Sequence, residues 1–272
     1  MKLWLIALIA LPFSLLAEER VVSIGGDITE IVYALGAQQN LVARDSTSLQ
    51  PALATRLPDV GYMRQLNAEG ILAMKPTLVI ASELAKPSLA LQQVEQAGVK
   101  VITVTGKPEL SAVHSKIATV AAALHREEQG EELQAKLDKQ LAGLSGKPLP
   151  VKVLYILNHS GMKAQGAGTG TAADGAIRAA GLQNALGNIP HYQPLTQEGI
   201  VASAPQLIVI GAEGLRTMGD EEDLWKLPGL ALTPAGRQHN VLVVNEMALL
   251  GFGLQTPDAV ARLRKAAEAL VK

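Results

Sequence analysis

Short apolar runs alternate along the chain with stretches in which apolar residues recur every three or four positions, and this alternation indicates strands followed by helices. The apolar runs predict strands at 20–24, 41–43, 78–81, 99–104 and 151–157. The periodic stretches predict helices at 28–35, 69–74, 89–97 and 171–180. Asp27 or Thr29 could cap the first of these helices, and Gly36 could end it. Strands that alternate with helices are typical of βαβ units, so the sequence predicts an α/β fold built on parallel sheets.

A longer periodic stretch lies in the middle of the chain, between positions 109 and 144. Its apolar residues fall at helical intervals, at Val113, Ile117, Val120, Leu124, Leu133, Leu137, Leu141 and Leu144. The pattern predicts one continuous helix whose only weak point is Gly130. Such a helix would be about 50 Å long, so between two αβ halves it would act as a rigid connector.

Two segments of the chain are similar to each other. The residues EGILAMKP from Glu69 match EGIVASAP from Glu198, 129 positions later, in their Glu, Gly, Ile, Ala and Pro. Gly36 and Gly181 belong to a weaker match upstream. Because internal repeats indicate repeated structural units, the sequence predicts two similar αβ lobes with a cleft between them. The expected divisions are a signal peptide at 1–17, an N-terminal lobe at 18–108, the connector helix at 109–145 and a C-terminal lobe at 146–272.

The first residues have the pattern of a secretory signal peptide. Lys2 precedes an apolar run from Leu3 to Leu16, and the small residue Ala17 precedes a polar stretch. We expect cleavage after Ala17 and export to the Gram-negative periplasm, because the run is shorter than the roughly 20 residues that span a bilayer. An uncleaved anchor is the alternative. The chain has no cysteine, which excludes a lipid-modified cysteine, disulfides and thiolate metal sites, and its net charge of −1 does not indicate a nucleic-acid partner.

Tyr62 is the first candidate for a binding residue. It lies in the segment Gly61–Arg64, within a connection rich in Pro and Gly, in a chain that has only four tyrosines. The offset of 129 positions places His191, followed by Tyr192, at the equivalent point of the second lobe, and equivalent loops of facing lobes border one cleft. Tyr62 could form hydrogen bonds, act in acid–base chemistry, ligate a metal or pack as an ordinary surface aromatic. Arg64 would favour the phenolate form of a neighbouring tyrosine, which suits ferric iron, including haem iron.

Three segments resemble the periplasmic haem-binding proteins of bacterial haem ABC importers, which belong to the helical-backbone, class III substrate-binding proteins. These segments are GGDITEIVYALG from Gly25, GYMR from Gly61 and NEMALLGFG from Asn245, and the resemblance extends over essentially the whole mature chain. The first segment alone is typical of the wider family of siderophore- and cobalamin-binding proteins. The resemblance implies two parallel-sheet αβ lobes joined by one long rigid helix, with the ligand cleft between the lobes.

The same resemblance implies roles for residues around the ligand. Ferric haem b would be carried in the cleft with Tyr62 as the axial ligand, and Arg64 would support the Tyr62 oxygen. Some members have a partner arginine on the second lobe, for which Arg216 is the candidate by position. Some members hold a second haem through a histidine, and His159 and His191 are both candidates because the sequence favours neither.

Delivery of haem to an inner-membrane ABC permease is also implied by the resemblance. Members dock through one acidic residue on each lobe, and Glu83 and Glu213 are the candidates because they follow the matching strands. Ordinary surface charge is the alternative for each. The expected partners are therefore haem and the permease, without nucleic acid, and the protein is expected to be a monomer and not an enzyme.

Other functions stay open at this point. A siderophore- or cobalamin-binding protein of the same fold would not need the pair of Tyr62 and Arg64. An exported hydrolase could use His159 or Ser160, although the Gly-x-Ser-x-Gly elbow of hydrolases is absent. The run Gly166–Gly170 is similar to a phosphate-binding turn but lacks the Lys-Ser/Thr of a P-loop, so we interpret it as a loop that lines the cleft.

Overall fold

The computed structural model describes residues 19–144, 147–159 and 161–271. The expected signal peptide at 1–17 and the candidate Ser160 lie outside the described residues. Within the described ranges, no helix combines the length and the apolar character that crossing a membrane requires. The chain forms two α/β lobes that are connected by a pair of helices.

The N-terminal lobe is built on four parallel strands. They are β1 (Val21–Ile24), β2 (Leu41–Arg44), β3 (Leu78–Ser82) and β4 (Lys100–Val104). The helices of this lobe are α1 (Gly26–Ala34), α2 (Ala68–Ala73) and α3 (Leu89–Gln96). The sheet order is β2-β1-β3-β4, and every residue of β1 and β3 is buried. Central strands of a parallel sheet are covered on both faces, which is why they appear in the sequence as unbroken apolar runs.

The prediction of one long connector helix is wrong. The chain forms two helices, α4 (Ala112–Ala123) and α5 (Glu127–Ala142). They are separated at His125, whose φ of 54° lies in the left-handed region. Both helices join one apolar cluster with the N-terminal sheet, for example through Ile117 and Leu137. The chain folds back because this arrangement lets both apolar faces pack on the same core, which a straight helix could not do.

Gly130, which was expected to weaken the connector, is the point where the two helices touch. A Cβ atom on Gly130 would lie 2.7 Å from Ala121 Cβ, so glycine permits this close approach. Farther along, Gln134 Nε2 donates a hydrogen bond to the carbonyl of His114 at 2.9 Å. Since later residues of α5 meet earlier residues of α4, the two helices run antiparallel.

The C-terminal lobe contains a larger mixed sheet. Its strands are β5 (Lys152–Leu157), β6 (Gln165–Ala167), β7 (Gln183–Asn184), β8 (Tyr192–Pro194), β9 (Leu207–Gly211) and β10 (Val241–Val244). Its helices are α6 (Ala172–Ala179), α7 (Gln197–Ser203), α8 (Ala212–Met218), α9 (Glu221–Trp225), α10 (Pro234–Gln238), α11 (Glu246–Leu250) and α12 (Thr256–Glu268). The order is β10-β9-β5-β6-β8, with β7 also paired to β5. Strands β7, β5, β9 and β10 are parallel, and β6 and β8 add an antiparallel edge.

The internal repeat corresponds to a structural unit that occurs once in each lobe. The pair α2 and β3 is equivalent to the pair α7 and β9, 129 residues later. Gly36 and Gly181 follow α1 and α6 with φ values of 68° and 70°, the left-handed conformation in which glycine commonly ends a helix. The predicted α/β fold class, with two parallel-sheet lobes, is therefore confirmed.

Asp27 and Thr29 do not cap α1, contrary to the expectation from the sequence. Both residues lie inside the helix and are buried. Thr29 Oγ1 lies 2.7 Å from the hydroxyl oxygens of both Ser23 and Ser48. The Asp27 carboxylate is turned toward Lys116 of α4. These polar groups therefore tie α1 to neighbouring elements, because a buried polar group needs a partner.

Two glycines of the segment 166–170 are explained by the close approach of neighbouring chain segments, and the third, Gly170, has a φ of 77°. A Cβ atom on Gly168 would clash with the carbonyl of Ile189, and one on Gly166 would clash with the Leu186 side chain. The expectation of a loop is wrong for the start of this segment, because Gly166 and Ala167 belong to β6.

Candidate functional site

The two lobes meet at the carboxyl ends of their parallel strands. Gly26 follows β1, and a Cβ atom built on it would lie 3.4 Å from Cε of Met247, which follows β10. A Cβ atom on Gly253 would likewise lie 3.1 Å from Asp27 Cβ. These contacts join the lobes, and because ligands of open α/β sheets bind outside the carboxyl ends of the strands, the cleft that opens beside this joint is the candidate site.

Asp59 fixes the loop that carries Tyr62. Its carboxylate pairs with Arg44 Nη1 at 2.8 Å and accepts hydrogen bonds from Ser46 Oγ at 3.0 Å and from the Gly61 N–H at 2.8 Å. The Gly61 carbonyl accepts a further bond from the Ser46 N–H at 3.0 Å, and Gly61 has a φ of 99°, which residues with a Cβ rarely adopt. The chain is thus held at the end of β2 immediately before Tyr62.

Tyr62 is turned away from the core of the N-terminal lobe. Its neighbour Met63 is buried and packs into that core together with Val60. Tyr62 itself is 44% exposed, and Arg64 is exposed as well. Since Met63 anchors the segment, both of its flanking polar side chains are available at the surface, where loop residues commonly contact ligands.

His159 and Glu246 form a pair on the C-terminal wall of the cleft. His159 follows β5, Glu246 begins α11 directly after β10, and His159 Nε2 lies 3.6 Å from Glu246 Oε1. Burial raises the pKa of the Glu246 carboxyl, and the neighbouring His159 opposes this rise. Gly211 leaves the space for the carboxylate, because a Cβ atom there would lie 2.8 Å from Glu246 Oε2.

Two tyrosines lie close to this pair, Tyr155 of β5, which is buried in the core, and Tyr192 of β8, which is partly exposed. Burial raises the pKa of Tyr192 to about 12, with Glu246 adding to the rise and Arg64 opposing it. Burial, followed by the charge of Glu246, also raises the pKa of Tyr155 well above its usual value. Among the described residues, the Tyr155 hydroxyl has no hydrogen-bond partner. Because Arg64 belongs to the N-terminal lobe, its effect on Tyr192 indicates that the Tyr62 loop comes near this part of the C-terminal lobe.

The other candidate residues lie at the surface of the protein. Arg216 and Glu213 are both exposed on α8 and form an ion pair with each other. Glu83 is exposed after β3, and its carboxylate accepts a hydrogen bond from the Gly106 N–H at 3.1 Å. His191 is exposed immediately before β8 and has a φ of 58°. The two acidic residues therefore both follow equivalent strands, but each already has a partner.

Glu246 and Tyr155 were not identified from the sequence. Glu246 lies inside the segment NEMALLGFG, and its position two residues after the apolar run Val241–Val244 was the available signal. Tyr155 had no comparable signal, since it occupies an ordinary position in the apolar strand β5. In the structure, Glu246 and Tyr155 lie close to Tyr192 and His159. These four residues come from distant parts of the sequence, so no short motif connects them.

The comparisons with known proteins agree with this architecture. The family model described as "Periplasmic binding protein" matches residues 21–247. The chain belongs to the periplasmic binding protein family. The periplasmic heme-binding protein RhuT from Roseiflexus sp. RS-1 is 38% identical, with a TM-score of 0.88 over 94% of this chain and 100% of that chain. The periplasmic heme-binding protein BhuT, solved in complex with two hemes, is 39% identical, with a TM-score of 0.86 over 93% of this chain and 99% of that chain.

A more distant relative is named for a different ligand. The vitamin B12-binding protein of Pectobacterium carotovorum is 24% identical over 76% of this chain and 76% of its own length. The predicted resemblance to periplasmic haem-binding proteins is confirmed. Since these relatives are named as binding proteins, the chain is a binding protein and not an enzyme, and the hydrolase alternative loses its support.

Proposed function

We propose that this protein captures ferric haem b in the cleft between its lobes, with Tyr62 as an axial ligand, and delivers it to an inner-membrane ABC permease. The observation that carries the proposal is Tyr62 itself, which is 44% exposed on a loop that Asp59 fixes at the cleft. The similarity to RhuT and BhuT supports haem as the cargo.

Tyr62 has the chemistry that a haem ligand requires. A porphyrin supplies the equatorial nitrogen ligands of its iron, so the protein adds only axial ligands. A phenolate is a hard anionic donor that suits ferric iron, and tyrosine serves as a haem ligand in other proteins. Arg64 is exposed on the same loop, two residues from Tyr62, and its guanidinium would donate a hydrogen bond to the Tyr62 oxygen of the haem complex.

The C-terminal wall would supply the groups on the other side of the haem. His159, paired with Glu246, and the exposed His191 are the candidates for a second axial ligand or for the ligand of a second haem. BhuT was solved with two hemes, so the proposal includes a stoichiometry of one or two. Arg216 would contact a haem carboxylate by exchanging its partner Glu213 for the ligand.

Docking on the permease would use one carboxylate from each lobe. Glu83 and Glu213 follow the equivalent strands β3 and β9 and are exposed. Charges at the rim of an interface orient the partners and increase the rate of association. Their present contacts, with the Gly106 N–H and with Arg216, would be exchanged for arginines of the permease. Export through the signal peptide at 1–17 would bring the protein to the periplasm, where it would act as a monomer without a nucleic-acid partner.

A cobalamin- or siderophore-binding protein of the same fold is the second candidate. The relatives named vitamin B12-binding protein, from Pectobacterium, Vibrio and Yersinia, favour it. A cobalamin carries its own metal with ligands already attached, so it would not require the Tyr62 oxygen. The two candidates therefore differ in their dependence on one atom of the protein.

A titration distinguishes these candidates. Purified mature protein would be mixed with ferric haem, with cyanocobalamin or with a ferric siderophore, and binding would be followed by calorimetry and by the visible spectrum. We expect saturable binding of haem, at one or two per protein, that excess cobalamin does not displace. Saturable binding of cobalamin or of the siderophore that displaces haem would overturn the proposal in favour of the second candidate.

Replacing Asp59 with Asn should weaken haem binding by about tenfold. Arg44 would lose its charged partner, and the chain before Tyr62 would lose part of its restraint. The affinity would be measured by the same titration, and the far-UV circular dichroism would show that the fold is retained. Glu95→Gln, which changes an exposed carboxyl on α3, is the control and should bind haem like the native protein. Equal affinity of Asp59→Asn and the native protein would show that Asp59 does not position Tyr62.

A further inference from the structure

A small cavity lies at the joint between the lobes, and it is separate from Tyr62. It has a volume of about 140 Å³ and is lined from one side by α1 and residues 47–50, and from the other by residues 245–256. Asp27, Glu30 and Gln255 contribute polar groups to its walls. A polar cavity of this size has room for about four water molecules.

A buried ion pair stands beside this cavity and connects three elements. Lys116 Nζ of α4 lies 2.6 Å from Asp27 Oδ2 of α1 and donates a second hydrogen bond to the Gly251 carbonyl at 3.1 Å. The side chains of Lys116 and Asp27 are only 2% and 8% exposed. Because Gly251 belongs to the C-terminal lobe, one ammonium group holds α1, α4 and the second lobe together.

Glu30 adds a second carboxyl group to the joint, one turn after Asp27 on α1. Gln255 Nε2 of the C-terminal lobe donates a hydrogen bond to Glu30 Oε1 at 2.7 Å, and the backbone of Leu254 beside it also favours the ionised carboxyl. The charged groups that face Glu30 are Asp27 from its own helix and Lys116 from α4. Burial raises the pKa of Glu30 from 4.5 to about 7; Asp27 adds to this rise, whereas Gln255 and Lys116 oppose it.

We propose that Glu30 makes this joint a proton-controlled hinge, in which the protonated carboxyl keeps α1 closed against residues 251–256 and its ionisation opens the lobes. When Glu30 is protonated, the charges of Asp27 and Lys116 balance each other. When Glu30 is ionised, two carboxylates face one ammonium in a poorly hydrated space, and an excess charge there is unfavourable. Separation of the lobes widens the cavity, admits water and solvates the extra charge.

The hinge is carried by residues that do not belong to the Tyr62 site. It joins the N-terminal lobe to the C-terminal lobe at Gly251 and Gln255, so its state sets the width of the cleft whatever the cargo is. A ligand held between the lobes would therefore be bound more tightly below neutral pH than above it. If the protein did not bind haem, the hinge proposal would still stand, and if the lobes did not respond to pH, the haem proposal would still stand.

The distance between the lobes tests the hinge directly. The chain has no native cysteine, so Gln92→Cys on α3 and Glu222→Cys on α9 would give two unique, exposed labelling sites, one on each lobe. Spin labels at these sites report the distance between the lobes in the ligand-free protein. We expect the mean distance to increase by about 2 Å or more from about pH 5.5 to about pH 8.5. The midpoint should lie near pH 7.

Two variants make this result specific for Glu30. Glu30→Gln should keep the short distance at every pH, because it imitates the protonated carboxyl. Gln255→Ala should move the midpoint to higher pH, because it removes the donor that favours the ionised form. Glu131→Gln, an exposed carboxyl on α5, should behave like the native protein. A native distance that does not change with pH, or a change that survives in Glu30→Gln, would overturn the hinge.

The pH dependence of stability gives a second test of the same group. The pKa of Glu30 is raised from 4.5 to about 7 on folding, so its contribution to stability is complete below about pH 4.5 and is lost as the pH rises to about 7. Relative to the native protein, Glu30→Gln should therefore gain resistance to urea across this window and keep the gain above it. A difference between the two urea midpoints that is constant over the window would contradict the raised pKa of Glu30.

Discussion

Replacing Tyr62 with Phe should lower the affinity for ferric haem by about 100-fold or more, because loss of an axial ligand exceeds the effect of losing a supporting group. The substitution removes one oxygen atom and keeps the aromatic ring, so any packing of the ring against the porphyrin is preserved. The Tyr62 side chain is 44% exposed, so the substitution should not disturb the core. The turn after Tyr62 is also retained, because the Gln65 N–H donates its hydrogen bond to the backbone carbonyl of residue 62 and not to the side chain. The affinity is measured by titration, and the visible spectrum of the bound haem should change at the same time.

Tyr33→Phe is the matched control for this experiment. Tyr33 lies on α1 and packs against the core of the N-terminal lobe, so the same chemical change there should leave haem affinity and spectrum unaltered. If Tyr62→Phe binds haem with the native affinity and the native spectrum, Tyr62 is not the iron ligand. The histidines His159 and His191 would then become the leading candidates.

Replacing Lys116 with Met should lower the free energy of unfolding by about 3–5 kcal/mol. The substitution leaves the buried Asp27 carboxylate without its partner and removes a hydrogen bond to the Gly251 carbonyl. The Glu30 carboxyl nearby also loses the cation that favours its ionised form. Urea unfolding followed by circular dichroism measures the effect, which should be largest above neutral pH.

Two further variants distinguish the effect of breaking the buried ion pair from the effect of losing a lysine in general. Lys226→Met breaks an exposed pair with Asp223 and should have little effect, since solvent screens such pairs. The double variant Asp27→Asn with Lys116→Met should recover part of the lost stability, because it removes both buried charges. An effect of Lys116→Met as small as that of Lys226→Met would show that the joint between the lobes does not depend on this ion pair.

The repeated unit was predictable from the sequence because its signals are local. The matching segments from Glu69 and Glu198 each form a short helix followed by a buried strand, and the same offset relates their structures. The glycines at 36 and 181 end helices through a conformation that depends on one residue. Tyr62 was recognisable for a similar reason, since an aromatic residue in a Pro/Gly-rich loop has no obvious core to enter.

The connector was mispredicted because periodicity does not reveal a change of direction. The apolar spacing continues through Leu124 into α5, yet His125 adopts a left-handed conformation and the chain turns back. The same apolar spacing suits one long helix and two antiparallel helices, and only the packing of both apolar faces on one core distinguishes them. The only local hint was Gly130, which the close contact with Ala121 explains and which the sequence alone presents as a weak point.

The contacts at the joint between the lobes could not be predicted from the sequence. Glu30 and Gln255 are 225 positions apart, and Lys116 and Asp27 are 89 positions apart. From the sequence, Asp27 was one of two residues that could cap α1, whereas it is buried against Lys116. Glu246 reaches His159 and Tyr192 in the same way, through the arrangement of strands and not through any short motif. Such contacts follow only from the tertiary arrangement of the elements, within a lobe for His159 and Glu246 and between the lobes for Glu30 and Gln255.

A crystal structure of the haem-loaded protein is the most direct test of the central claim, the ligation of haem iron by Tyr62. The account predicts that the porphyrin lies between the Tyr62 loop and the wall formed by His159, Tyr192 and Glu246, with the Tyr62 hydroxyl oxygen bonded to the iron. A saturated complex in which the iron is bound by other residues, and the Tyr62 oxygen lies beyond coordination distance, would contradict it.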